Sequence, residues 1–310
     1  MSSTPIEQLI SSVAPVGCRL INLPNRIWVF GGTIAPDTKE PSESLRDSFW
    51  RQQLNANPSR PWFAHFDRPE NHNGWWAFSG YDNLLQFERD ACYLASQTIL
   101  FSESPGSFAE LGALALDDSI LPRLFVVVQG KFLAPQTRAS FINLGPLKRV
   151  DLQHHKCIIG SPGKTILNPD DFDAIVDTFE SSFEHKQHRS EELDPTNPTH
   201  RLLLIADLVD LMLVSKAADL QRALLHFQIS LDEIALGQAL NLLNFFELVR
   251  LEMRGNEPFW VRLQNGDAPW INYTSVTAHV PFDRTRFKVE CERLLQSDRR
   301  RKSMLERVAA

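Results

Sequence analysis

The chain has 310 residues, 43% hydrophobic and 23% charged, a globular usage that excludes disorder and fibrous repeats and, at roughly 150 residues per domain, suggests about two domains. Thirty-two Lys plus Arg against 38 Asp plus Glu give a net charge of −6, which excludes a general polyanion binder. No apolar run approaches the roughly 20 residues that span a bilayer, and the opening MSSTPIEQLISSVAP lacks the basic start of a secretory signal, so a soluble cytoplasmic protein is expected.

In chain order, Ile27-Trp28-Val29-Phe30 reads as a short strand ending in Gly31-Gly32. Residues 44–55 place Leu45, Phe49 and Leu54 at helical spacing, residues 61–66 read as a second strand, and residues 81–95 as a helix. Residues 98–101 form a third strand, after which the turn Ser104-Pro105-Gly106-Ser107 opens a helix through Ala115. Residues 124–128 (LFVVV) are a fourth strand, 157–159 a fifth, and 170–183 a closing helix. Continuous apolar strands imply burial on both faces. Strand–helix alternation then implies an α/β domain with a doubly wound, flavodoxin-like parallel sheet, whose ligands lie outside the carboxyl ends of the strands. The aromatic segment 67–80 fits either a lid or an insertion packed on the surface.

Residues 186–198 are polar with two prolines and mark a boundary, giving domains 1–188 and 196–310. Helices are expected over 201–214, 218–227 and 230–246, the last opened by a capping box from Ser230 to Glu233. Two alternating runs, 248–253 and 258–263, flank Gly255-Asn256 as a hairpin. Three helices and a hairpin give the order of a small winged-helix domain, and a basic C-terminal helix follows. Residues 284–310 hold nine Lys or Arg against four Asp or Glu. The run Arg299, Arg300, Arg301 and Lys302 fits either nucleic-acid or partner docking or a solvated face. Cys18, Cys92, Cys157 and Cys291 form no CxxC pair and have no His at metal-ligand spacing, so they read as reduced thiols and no metal is expected. Trp75, Trp76 and Trp260 fit core packing or an interface.

The chemistry concentrates in residues 102–112, SESPGSFAELG, which follow a buried strand and open a helix. Amides at that helix start, with Gly106 allowing close approach, can hold a phosphate or a ribose hydroxyl. Two roles fit Glu110. It can complete a capping box begun by Ser107, or its carboxylate can meet the sugar of a bound nucleotide as an N-glycosidic bond breaks and the anomeric carbon turns cationic. Glu88 on the preceding helix is either a solvent-facing side chain or the group that orients the ribose or the incoming water.

Gly106-Ser107-Phe108-Ala109-Glu110-Leu111-Gly112 resembles the Gly-Thr-x-x-Glu-x-Gly element of nucleoside 2-deoxyribosyltransferases, with Ser104 where that family usually has Asp. The wider order resembles the retron effectors of the St85/Ec86 type. It runs from Phe30-Gly31-Gly32 through Leu100-Phe101 and Glu103 to Phe108 with Glu110 to Ala113, then Ser140 to Asn143 with Gly145-Pro146. That resemblance implies a deoxyribosyltransferase-like N-glycosidase domain joined to a winged helix, acting as a toxin in anti-phage defence. It implies control by a retron reverse transcriptase and its multicopy single-stranded DNA, and it implies a homo-oligomer or higher assembly. By the same resemblance Glu110 is catalytic with Glu88 beside it, Gly31, Gly32, Ser102, Ser104, Gly106 and Ser107 line the nucleotide site, and Asn143 closes it. Asn143 equally fits a loop-tying role.

NAD+ is expected as substrate, with no cofactor: nicotinamide leaves a cationic pyridinium as a neutral molecule and needs no general acid, whereas an ordinary base needs protonation. Two alternatives stay open, a glycosidase of (deoxy)nucleotides and a nucleotide-sensing winged-helix regulator without catalysis. Residues 231–246 carry no Lys or Arg, which disfavours base readout in duplex DNA.

Overall fold

The computed structural model describes residues 4–37, 39–55, 60–134, 136–137, 139–160, 165–183, 190–263 and 269–309. Two compact units divide the chain, Pro24–Phe78 with Asn83–Gln187, and Met1–Leu23 with Ser79–Asp82 and His188–Ala310. The expected domain end at residue 188 lies outside the described residues. The N-terminal segment, expected within the first domain, falls instead in the C-terminal unit. There α1 (Pro5–Ser12) leads into β1 (Val13–Leu20), which pairs antiparallel with residues 271–275.

The parallel-sheet unit runs β2 (Ile27–Phe30), α2 (Leu45–Asn55), β3 (Phe66–Asp67), α3 (Leu84–Tyr93), β4 (Gln97–Ser102), α4 (Pro105–Leu114) and β5 (Leu124–Gln129). It continues through α5 (Phe141–Leu144), α6 (Pro146–Asp151), β6 (Lys156–Ile159) and α7 (Pro169–Phe183). Its five strands are all parallel, in the order β3-β2-β4-β5-β6. Counted within the unit this is 2-1-3-4-5, the flavodoxin-like winding, which reverses direction between β2 and β4. Every residue of β2 and β5 is buried, as strands covered on both faces require. The indole Nε1 of Trp28 on β2 donates to the Ala91 carbonyl at 3.1 Å, which ties α3 to the sheet.

Residues 61–66 depart from the expected strand. They form a 3₁₀ turn over Pro61–His65, leaving only two residues of β3. A proline opens that turn, and the consecutive aromatics Trp62 and Phe63 both pack toward the core instead of alternating across a sheet. Segment 67–80 is packed and not free-standing: Trp75 is 0% exposed and meets Trp28 and Phe87 edge-on, with centroids 5.1 and 4.9 Å apart. The Trp76 side chain lies outside the described residues.

The C-terminal unit adds β7 (Glu191–Glu192), α8 (Pro198–Met212), β8 (Val214–Ser215), α9 (Ala217–His226), α10 (Glu233–Phe245), β9 (Arg250–Arg254), β10 (Glu257–Val261), β11 (Ile271–Ser275), α11 (Arg284–Leu295) and α12 (Arg299–Ala309). Its strands form two sheets, β11-β1-β7 and β8-β10-β9. The β9–β10 hairpin turns at Gly255, whose φ of +62° suits glycine. The expected box from Ser230 is replaced by Asp232, whose carboxylate accepts from the Ala235 amide at 2.7 Å and starts α10 two residues later. Trp260 is buried on β10, and all four cysteines are buried and unpaired.

At the centre of this unit Asp207 on α8 is 0% exposed. It accepts from the Trp270 and Ile271 amides at 2.6 and 3.1 Å and from Arg284 Nη1 at 2.9 Å. Truncating one member of a buried charge network strands the others, so Asp207→Ala is expected to cost about 3–5 kcal/mol, read as a lowered urea midpoint.

Candidate active site

The strand order reverses between β2 and β4, so their carboxyl ends open the crevice where doubly wound sheets bind ligands. Gly31-Gly32 leaves β2 and Ser102-Glu103-Ser104 leaves β4. Both glycines serve close packing. A Cβ on Gly31, whose φ is +148°, would lie 2.8 Å from Phe101 Cβ, and one on Gly32 would lie 2.7 Å from Ser44 Cβ. The protein itself therefore fills the space beside both residues.

Glu103 binds this corner together. Its Oε1 accepts from the amides of Gly32 and Arg46 at 3.0 and 3.1 Å, and its Oε2 accepts from the Leu45 amide at 2.7 Å. One carboxylate thus joins the end of β4, the loop after β2 and the first turn of α2. Burial is the largest influence and raises its pKa above the ordinary carboxylate value, with the three amides opposing that rise. All three partners are donors, an arrangement that favours the anionic form.

The start of α4 differs from the expected capping. Ser104, not Ser107, is the N-cap: its Oγ accepts from the Ser107 amide at 3.2 Å, and Ser107 Oγ accepts from the Ser104 and Glu103 amides at 2.9 and 3.0 Å. This reciprocal box is complete without Glu110, which sits beyond the first turn and caps nothing. The amides of Glu103, Ser104 and Ser107 are used internally, so among these expected substrate contacts the exposed Gly106 is left with an open approach.

Glu110 is largely buried, and its Oε2 has no hydrogen-bond partner. Burial first, and the neighbouring Glu88 charge second, push its pKa up to about 7, with Glu70 adding and Arg46 opposing. Glu88 is raised by burial as well, while its Oε1 accepts from Trp75 Nε1 at 3.2 Å. Among the described residues the buried cation here is Arg46, whose side chain is 4% exposed. It donates to the Val29 and Gly32 carbonyls at 2.9 and 3.1 Å and grips Glu70 through two bonds of 3.0 and 2.7 Å. Glu70 is bonded to this guanidinium, and the carboxylates of Glu88 and Glu110 feel its charge. A buried carboxylate oxygen without a partner is costly unless something else completes it.

Ser102 at the end of β4 is 1% exposed, and its Oγ is also unpartnered. Asn143 ties its own loop, with Nδ2 donating to the Phe132 and Thr137 carbonyls at 2.7 and 2.8 Å and to Ser140 Oγ at 3.1 Å. The basic run belongs to the C-terminal unit and is partly neutralised there. Arg300 pairs with Glu257 at 2.9 Å, Lys302 lies 4.0 Å from Glu306, and Arg301 pairs with Asp219 at 2.7 Å and Asp298 at 3.3 Å. The Arg299 carbonyl accepts from Arg254 Nη1 at 3.0 Å. Arg301 is therefore a structural cation, and Arg301→Glu is expected to lower unfolding free energy by about 1–3 kcal/mol in a denaturant titration.

Arg46 and Glu70 carry no site signal in the sequence, whereas Glu103 stands in the motif itself as a possible acid. The only local sign of Arg46 is a cation one position after Leu45 in SLRDSF, and Glu70 stands in an irregular segment.

The chain is also similar in sequence to known proteins. The chain is 32% identical over 130 residues to the Escherichia coli protein called "Retron Ec73 putative ribosyltransferase/DNA-binding protein", covering 37% of this chain and 40% of that protein. Its Ec86 counterpart of the same name, also from Escherichia coli, is 29% identical over 157 residues, 49% of this chain and 46% of that protein. The chain thus spans less than half the length of these curated relatives. The family model described as STM3845 retron effector protein matches residues 42–251, which include α2, the sheet from β3 onward, Glu110 and the helices through α10. The chain belongs to the STM3845 retron effector protein family.

Proposed function

We propose that this chain is a retron effector toxin whose parallel-sheet unit cleaves the N-glycosidic bond of a nucleotide, with NAD+ as the substrate. The observation that carries the reading is Glu110: a carboxylate next to the topological switch point, freed from capping, with one buried oxygen unpartnered. The names of the relatives include ribosyltransferase, which supports chemistry at a ribosyl carbon.

In this reading the Glu110 carboxylate stabilises the ribosyl cation or attacks C1′, and the C1′–N bond electrons leave with nicotinamide, which departs neutral. Water then adds to C1′, releasing the Glu110 carboxylate where it had bonded there, and the water's proton passes to Glu88, whose pKa burial raises and which is therefore a stronger base than an ordinary carboxylate. The products are nicotinamide, ADP-ribose and a proton. An approaching cationic pyridinium lowers the Glu110 pKa toward its ordinary value, so the substrate itself favours the anion it needs.

A second reading is favoured by the same raised pKa values. Glu110, with its pKa pushed up to about 7, is partly protonated near neutral pH and can serve as the general acid for an ordinary base, which supports release of bases from (deoxy)nucleotides. Chromatography of a nucleotide pool after incubation with wild type and Glu110→Gln decides between them. Nicotinamide and ADP-ribose are expected from wild type alone. Intact NAD+ beside free bases from deoxynucleotides would overturn the substrate, and equal products from both proteins would overturn the role of Glu110. No cleavage at all would leave the nucleotide-sensing regulator.

For the C-terminal unit, the order α8, β8, α9, α10 and the β9–β10 hairpin supports a winged helix. We read this unit, with residues 299–302, as the one that meets the retron reverse transcriptase and its multicopy single-stranded DNA. DNA-binding in the relatives' names supports a nucleic-acid contact. Helix α10 carries no Lys or Arg and leaves Ile234 74% exposed, which favours a protein or complex partner over base readout in a duplex. Cytoplasmic residence and a higher assembly belong to the same proposal. Among the described residues no helix is long and apolar enough to cross a membrane.

A further inference from the structure

In a doubly wound nucleotide-binding unit, substrate phosphate ordinarily rests on the free amides of the helix that follows the first strand. The amides at that position are all accounted for here. The first three N–H groups of α2 belong to Leu45, Arg46 and Asp47. The Leu45 and Arg46 amides donate to Glu103, and that of Asp47 donates to Ser44 Oγ at 2.9 Å. The Gly32 amide, which would complete such a cradle from the loop after β2, donates to Glu103 as well. At the next helix, α4, position N1 is Pro105 and has no N–H, and the Ser107 amide is held by Ser104. At the start of α4 the exposed Gly106 amide is thus a single open donor, and neither helix start in the crevice keeps the set of free donors that a phosphate cradle uses.

We propose that Glu103 is a built-in anion occupying the phosphate cradle of this unit, so that the site selects its substrate by sugar and leaving group and accepts ribosides that carry no phosphate. The inference rests on the N-glycosidase reading above and narrows its substrate class. Charge points the same way. The Arg46 guanidinium is already committed to Glu70 and two carbonyls, and Glu88 and Glu110 feel its charge without a bond to it. A polyphosphate brought among them would meet the repulsion of three carboxylates, whereas a cationic ribosyl centre meets opposite charge. Glu103 makes no contact with reacting atoms in this account. It is a positioning residue that fixes the loop after β2 against α2.

The first test uses the wild-type full chain and compares kcat/KM for NAD+ with that for nicotinamide riboside. The inference expects the two to agree within about tenfold, since emptying a purpose-built cradle of its phosphate costs more than that. A larger deficit for the riboside overturns it while leaving NAD+ cleavage intact. If deoxynucleotides prove to be the substrates, the same comparison is made between a deoxynucleoside and its 5′-triphosphate, so the two readings fail separately. The second test needs no turnover. Inorganic pyrophosphate is expected to leave the melting temperature of wild type unchanged. It is expected to raise that of Glu103→Ala, where the three amides are exposed, and to raise that of the isosteric Glu103→Gln less. A saturable rise in wild type overturns the proposal, as does a Glu103→Ala protein that folds and ignores pyrophosphate. Should Glu103→Ala fail to fold, the wild-type titration and the riboside comparison still decide.

Discussion

Glu110→Gln is expected to abolish base release and, at about pH 8, to make the parallel-sheet unit more stable by on the order of 2–3 kcal/mol. The sign follows from the pKa. Glu110 is raised from an ordinary 4.5 to about 7 in the folded chain, so the native state holds its proton more tightly than the unfolded state does. Between those values stability falls as pH rises, and above about 7 the whole cost of the buried anion is present. Glutamine carries no charge at any pH, so its advantage should vanish below about pH 4.5 and grow to its full size above pH 7. Urea titrations of both proteins across that range measure it. A glutamine variant equally inactive but no more stable at high pH would mean that Glu110 is not held as a costly anion. Catalytic groups kept in unfavourable surroundings often show this trade between activity and stability. On NAD+ itself, kcat/KM should rise with pH through about 7, because the free enzyme must present the carboxylate.

Arg46→Met should have the opposite effect on stability. Methionine fills much of the volume but leaves the Val29 and Gly32 carbonyls without their donor and Glu70 without its cation. The loss is expected to be about 3–5 kcal/mol near pH 8. Removing the guanidinium also raises the pKa values of Glu88 and Glu110 further, since Arg46 opposes both shifts. A carboxylate raised in the native state withdraws stability as pH increases, so the defect should shrink on acidification toward about pH 5. Denaturant midpoints for the pair at the two pH values check this, and a defect independent of pH would locate the role of Arg46 in its carbonyl bonds alone. Arg46→Lys keeps the charge but cannot reproduce the two-pronged grip on Glu70, and should fall between.

The parallel sheet was readable because buried strands leave an unmistakable run of apolar residues: Ile27 to Phe30 and Leu124 to Val128 occupy the positions expected of them. Residues 61–66 misled because aromatic content resembles a strand, while the proline that opens the segment starts a 3₁₀ turn. Strands β1 and β11 were missed for another reason. β1 contains Pro15 and Gly17, its register shifts between Ala14 and Arg19, and Gly17 takes a φ of +84°. Such a strand has no regular alternation, and its partner lies far away near the other end of the chain. At the site, the capping of SESPGSFAELG falls to Ser104 and not to Ser107. A serine occupies both position 104 and position 107, and only the backbone shows which is outside the helix. Arg46 and Glu70 were invisible because their meaning arises from a contact between a helix and an irregular segment, which no spacing rule encodes.

The pairing of Val13 with Ser275 and Leu20 with Ile271 has a temporal consequence. At ribosomal rates of roughly 5–20 residues per second, the earliest strand emerges about 10–50 s before its mate. Meanwhile every strand of the parallel sheet has been synthesised by Ile159 and its last helix by Phe183, so nothing in its own contacts obliges that unit to wait. Newly made chains should thus pass through a stage in which the glutamate-bearing half is mature while the other half holds an unmatched ribbon. A nascent-chain proteolysis series would see residues 24–183 become resistant first and residues 13–20 last.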